Sequence, residues 1–209
     1  MGYSVSVPNF ERARRYALNR LSRELSPNLF YHSLPHTRDD VAPAVERLAA
    51  LDGVDGAALL LLRTAAYYHD IGFVMQRDGH EAVGARIAAA ALPRFGYTPE
   101  QIGQISGMIL ATKLPQSPQN RLEELLADAD LDNLGREDFL ARNQALRAEL
   151  AAFGSTSADE QWYSAQLVFL TSHHYWTVAA RGLRDAQKQR NIEALYNLLA
   201  SCRKPTIVE

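Results

Sequence analysis

Apolar positions along the chain recur at helical spacing, and no stretch alternates with period two. The first such segment, residues 11–25, places Ala13, Tyr16, Ala17, Leu21 and Leu25 on one face and predicts an amphipathic helix. Ser26-Pro27-Asn28 breaks it. Pro35 suits the first turn of a second helix running to about Leu51, which puts His36 in that turn and His32 on the loop before it. Asp52-Gly53-Val54-Asp55-Gly56 is a turn. Residues 57–68 then run almost without a polar position, Leu59 to Leu62 included, so this helix is expected to be buried on all sides. It ends in His69-Asp70-Ile71-Gly72, with Gly72 expected to stop it by taking a positive φ.

An alanine-rich helix is expected over 80–95. Thr98-Pro99-Glu100-Gln101 carries an N-cap, a proline and a capping-box glutamine, and opens a helix to about Lys113. Residues 120–131 and 136–153 give two more, the latter stopped by Gly154. The remainder, 157–202, reads as mostly helical with a bend near Gly182. The expected fold class is all-α: a single domain in which residues 1–28 pack a helix on a core of 29–135, and 136–209 complete it as a C-terminal helical extension.

Composition narrows the setting. Of 209 residues 47% are hydrophobic, enough for a sizeable core. No apolar run reaches the roughly 18 residues of a membrane span, and Met1 to Phe10 shows no basic segment followed by an apolar one. A lone Cys202 excludes an internal disulfide and a cysteine zinc cluster, so a reducing, cytoplasmic location is expected. A net charge of -2 gives no overall attraction to nucleic acid. Nothing in the pattern fixes the oligomeric state, and a homo-oligomer stays open.

An adjacent imidazole and carboxylate at the end of a buried helix is costly unless compensated, and a metal ion compensates both. The candidate ligands come in the order His36, His69-Asp70, then a carboxylate of Asp128-Ala129-Asp130. Residues two apart on a helix point in different directions, so one of the last two aspartates reaches a shared ion. Asp128 and Asp132 share another face, where a solvated or capping role is expected. Two imidazoles and two carboxylates suit a divalent ion: Mn, Fe, Co, Ni, Zn or Mg. His32, a loop imidazole beside such a site, is open to two roles, protonating a leaving oxygen or simply hydrogen-bonding within the loop. His173-His174 lies among aromatics and is expected to be structural or part of a cleft wall. Arg181, Arg184, Lys188 and Arg190 read as a solvated basic face.

These words, His36-Thr37, His69-Asp70 and Ala129-Asp130-Leu131, resemble the H…HD…D pattern of the HD superfamily of metal-dependent phosphohydrolases, over residues from about 30 to 135. Tyr31-His32 and Ala129-Asp130-Leu131 also resemble elements of the cyclic-nucleotide phosphodiesterase branch. Ser33 stands where that branch has Asn, and Phe73 where it has a further His. The resemblance implies an HD-type helical bundle with His36, His69, Asp70 and Asp130 as metal ligands. It implies hydrolysis of a phosphate mono- or diester of a small metabolite, a nucleotide first, by a metal-bound hydroxide that Asp70 orients. In some members a His near His80 holds a second metal. The further histidines this needs are replaced by Ala111-Thr112-Lys113, so one ion is expected rather than two, with His80 toward substrate or the ligand shell. The helix ending at Lys113 would border the cleft, making Lys113 a candidate for the substrate phosphate and Arg38 a lesser one. The alternative is a catalytically silent HD-fold module that senses a nucleotide or mediates protein contacts.

Overall fold

The computed structural model describes residues 7–203, and expectations for residues 1–6 and 204–209 lie outside them. Every regular element among the described residues is helical, as the patterning predicts. Helix α1 spans Phe10–Glu24, capped by the Asn9 side chain, which accepts from Arg12 N–H at 3.0 Å. A wide helical turn, His36–Val41, leads into α2, Ala42–Asp52. In that turn the Ala42 N–H donates to the Thr37 carbonyl, five residues back rather than four. Pro43 follows at once; its ring would crowd the carbonyl four residues earlier in a regular helix, and the widened turn makes room.

Helix α3, Gly56–Tyr68, is central and packs against α1, α2, α5 and α6. Leu62, Ala65, Ala66 and Tyr68 are fully buried on it. A short tight turn, Ile71–Val74, connects it through a loop to α4, His80–Ala91, which lies along α5, Pro99–Ala111. The capping box at Thr98 forms as expected, with Gln101 N–H on Thr98 Oγ1 and Thr98 N–H on Gln101 Oε1. Helices α6 (Arg121–Asp130), α7 (Phe139–Ala152), α8 (Asp159–Ser172) and α9 (Val178–Cys202) complete the order. One cluster of buried apolar side chains runs from Ala13 on α1 to Leu199 on α9. No described helix is long and apolar enough to cross a membrane.

Four expectations are corrected. Gly72 does not take a positive φ. It is small because the backbone of α4 lies on it: a Cβ there would sit 1.9 Å from the His80 carbonyl oxygen and 2.9 Å from Gly84 N. Gly72→Ala is therefore expected to cost more than about 3 kcal/mol, since backbone must move. A thermal-melt shift of only a degree or two would contradict this.

The C-terminal half does not bend at Gly182, through which α9 runs on; it breaks at residues 173–177. There Thr177 caps α9 by accepting from Ala180 N–H. Asp128, fully buried on α6, accepts the N–H groups of Trp176 and Thr177, each at 2.8 Å. Asp128 thus has the capping half of its expected role and none of the solvated half.

Asp132 is neither solvated nor a cap. It is 3% exposed and receives both Arg184 nitrogens, at 2.7 and 2.8 Å, and Arg47 at 3.1 Å. The basic face of α9 is thus only half solvated: Arg181 and Arg190 are exposed, as expected, while Arg184 and Lys188 turn inward. Arg184 pairs with Asp132, Arg181 donates to the carbonyls of Tyr175 and Trp176, and buried Lys188 donates to that of His173.

Candidate metal centre

Each candidate ligand sits where a helix starts or stops. His36 opens the wide turn before α2, His69 and Asp70 follow the last turn of α3, and Asp130 is the last residue of α6. His36, His69 and Asp70 are withdrawn from water, His69 completely, and Asp130 is partly exposed. His36 Nε2 lies 3.3 Å from Asp130 Oδ1 and 3.6 Å from Asp70 Oδ2. His69 Nε2 lies 3.2 Å from Asp70 Oδ2 and 3.4 Å from Asp130 Oδ1. Two donors each about 2.1 Å from one ion stand about 3.0 to 3.4 Å apart at octahedral to tetrahedral angles. The observed spacings are close to those of a coordination shell.

Protonation supports the same reading. His69 Nδ1 faces the Ala66 carbonyl at 2.8 Å. A carbonyl only accepts, so Nδ1 carries a hydrogen and Nε2 is the nitrogen turned to the centre, where a metal ion would replace its proton. His69 Nε2 and Asp70 Oδ2 are both buried with no hydrogen-bond partner. Burial works against a charged His69, yet the Asp70 and Asp130 carboxylates outweigh it and hold its pKa well above the ordinary value. Burial likewise opposes ionised Asp70 and Asp130. His69 and His80 beside Asp70, and His36 and His69 beside Asp130, more than offset it, so both carboxyls lie below the usual range. The geometry calls for positive charge at one point, and His36, His69 and Asp130 could hold a metal ion there.

Around this centre lies a cavity of about 490 Å³, lined among others by Asp70, Asp130, His32, Phe73, His80, Glu81 and Lys113. His80 Nε2 stands 3.4 Å from Asp70 Oδ1, and its Nδ1 faces the Arg77 carbonyl at 3.1 Å. Phe73 stacks on both His80 and His32, with ring centroids 3.9 and 4.5 Å away. Lys113 is exposed at the cavity wall, with no ion-pair partner among the described residues. Arg38 is not brought in: it is half-exposed and pairs with Asp39 at the surface.

Sequence reasoning missed Glu149. It lies on α7, 1% exposed, and accepts the backbone N–H groups of Tyr31 and His32 at 2.9 and 3.0 Å and His32 Nδ1 at 2.5 Å. Burial pushes its carboxyl up, and His32 with the two N–H groups draws it below the ordinary value. Its segment, Leu146-Arg147-Ala148-Glu149, looks like any solvated helix face, and its partners lie more than a hundred residues away. No signal in the sequence could have found it.

A crystal structure of a protein described as a predicted HD superfamily hydrolase, from an uncultured Thermotogales bacterium, superposes with a TM-score of 0.63. Sequence identity is 20%, over 93% of this chain and 94% of that one. This chain has an HD-like fold. No protein-family model matches the sequence, and no curated protein matches it. Of the four candidate residues Asp70 and Asp130 line the cavity, and helices α7 and α8 supply much of its remaining wall.

His173 and His174 stand apart from the metal group and line a second groove with Leu114, Gln116, Phe169 and Trp176. Both ring nitrogens of His173 are buried without partners. Burial, with Lys188 nearby, pushes its pKa from 6.5 down to about 3. Unfolded, the ring takes a proton below about pH 6.5; folded, it does so only near pH 3. In that window the unfolded chain binds more protons, so stability falls with pH, and above it this group has no effect. His173→Leu is expected to flatten the decline of the denaturation midpoint on acidification from about pH 6.5 to 4. An unchanged slope would exclude His173 as a source of acid sensitivity.

Proposed function

We propose that this chain is a metal-dependent phosphohydrolase that cleaves a phosphate mono- or diester of a small metabolite, a nucleotide first. The observation that carries the reading is the convergence of His36, His69, Asp70 and Asp130 beside a cavity that also presents a free ammonium, Lys113. The HD fold and the hydrolase description of the Thermotogales protein agree with it. His36, His69, Asp70 and Asp130 would hold one divalent ion, which when bound neutralises phosphoryl charge and makes a water molecule more acidic.

The chain's own residues do the rest. Asp70 Oδ1, shared with His80 and turned away from His36 and His69, would orient a water for attack. Lys113 meets the non-bridging phosphate oxygens. Glu149 takes the Nδ1 hydrogen of His32, so Nε2 is the atom left for substrate, and in the doubly protonated ring it would pass its own proton to the leaving oxygen. His80, stacked on Phe73 and beside Asp70, helps position substrate.

The deciding experiment purifies the protein free of metal and adds Mn, Fe, Co, Ni, Zn and Mg singly, with a panel of nucleotides and p-nitrophenyl phosphate. Phosphate or phenolate release that depends on the added ion supports the proposal. Ion binding without release from any ester would instead favour the silent, sensing module.

A further inference from the structure

The second groove, of about 500 Å³, runs between residues 114–116 and the break at 172–176. Its chemistry differs from that of the cavity beside it. The cavity is walled by Asp70, Glu81, Lys113, Asp130 and Glu149, whereas no described residue lining the groove is an acid, a lysine or an arginine. Its walls are largely rings: Phe169, His173, His174 and Trp176. Trp176 is held at both ends, with its backbone N–H on buried Asp128 at 2.8 Å and its Nε1–H on Gln116 Oε1 at 3.2 Å. The His174 ring lies against it, centroids 4.9 Å apart. Both nitrogens of His173 are buried, so what that side chain can offer the groove is carbon. Uncharged aromatic walls of this kind suit a flat, neutral ring and not a phosphate.

The groove and the cavity also share a border. Leu114, Leu131 and Phe169 line both. Leu114 follows Lys113, which the reading above gives to the phosphate, and Leu131 follows the candidate ligand Asp130. Consecutive Cα atoms lie about 3.8 Å apart. The groove therefore begins one residue beyond the groups that would hold the phosphate, within reach of an organic part bonded to it. We propose that the groove is a subsite for a flat, uncharged ring, and that the substrate is a phosphate diester with two ring-bearing parts, one in the cavity and one in the groove. The proposal rests on the phosphohydrolase reading and narrows it, since a monoester has a single organic part and would leave one of the two adjoining sites empty.

The test uses the full chain loaded with Mn and two diesters of equal charge that differ by one ring, diphenyl phosphate and methyl phenyl phosphate, with affinity read by titration calorimetry. Diphenyl phosphate is expected to bind about ten- to hundredfold more tightly, the usual effect of burying one phenyl group. Ser172, exposed at the end of α8, lines the groove and not the cavity. Ser172→Trp fills the groove and should bring the ratio toward one while methyl phenyl phosphate binds as before. His174→Ala removes an exposed ring from the groove and should lower the ratio several-fold, which keeps the test open if Ser172→Trp does not fold. In turnover, bis(p-nitrophenyl) phosphate is expected to show a higher kcat/KM than p-nitrophenyl phosphate. Equal affinities, a ratio that neither variant moves, equal losses on both diesters, binding of neither, or the reverse order in turnover would each overturn the proposal. Metal-dependent ester hydrolysis alongside equal affinities strikes this inference alone. A preference for diphenyl phosphate that the variants remove, with no ester hydrolysed, strikes the phosphohydrolase reading alone.

Discussion

Asp130→Ala is expected to abolish both metal binding and hydrolysis, whereas Asp128→Ala, two residues earlier on the same helix, keeps the metal and loses stability. Asp130 Oδ1 stands 3.3 and 3.4 Å from the Nε2 atoms of His36 and His69, within reach of an ion both imidazoles face. Asp128 points into the opposite side of α6 and holds the N–H groups of Trp176 and Thr177. The experiment is a pair of thermal melts, with chelator and with excess ion. A bound ion stabilises the folded chain by about 2.7 kcal/mol at a hundred times its Kd. The parent and Asp128→Ala should show that gain, and Asp130→Ala should not. Asp128→Ala should melt lower under both conditions, by an amount matching about 1–3 kcal/mol for two buried N–H groups left unpaired. The reverse pattern would move the ligand to Asp128. His36→Ala tests the same centre from the far side, and a full complement of metal in that variant would remove His36 from it.

His32→Ala is expected to keep its metal-dependent melting gain and to lose about a hundredfold to ten-thousandfold in rate on an ester with an alkoxide leaving group. The ring stands on a platform: Phe73 stacks on one face, and Glu149 takes Nδ1 and the residue's own N–H. That fixes Nε2 as the atom available for proton transfer. With p-nitrophenyl phosphate, whose phenolate leaves unaided, the loss should shrink. Glu149→Gln should reproduce most of the effect, because a neutral amide no longer fixes the hydrogen on Nδ1 by its charge. Equal losses on both esters would show that His32 positions substrate instead of protonating it. Loss of the metal gain in His32→Ala would place it among the ligands.

What could be read in the sequence was local. The capping box at Thr98 and the breaks at Pro27, Gly53 and Gly154 depend on residues within a few positions, and each appears where its residues place it. That His36, His69-Asp70 and Asp130 lie together was legible for a different reason: imidazoles and carboxylates at the ends of apolar helices need one another or an ion as partners. What stayed hidden was pairing across the chain. The caps that Asp128 provides lie 48 and 49 residues on, the Asp132–Arg184 pair spans 52 residues, and Glu149 reaches back 117 to His32. A charged residue that folds inward has the same neighbours in sequence as one that does not. Gly72 misled in a related way: its small size answers to the backbone of α4, not to its own φ.

The wide turn at His36–Val41 gives the centre a property that concerns counting rather than contact. An α-helix advances about 100° per residue, so a turn closed by a five-residue bond holds one residue more than its neighbours and shifts the phase of all that precedes it. His36 turns toward Asp70 and Asp130 while Val45 and Leu48 of α2 are buried in the core, with that extra residue between them. Deleting one position between Thr37 and Val41 is expected to swing His36 by about 100° about the axis. A length change that a surface loop would absorb is, in this one turn, expected to cost the proposed first ligand.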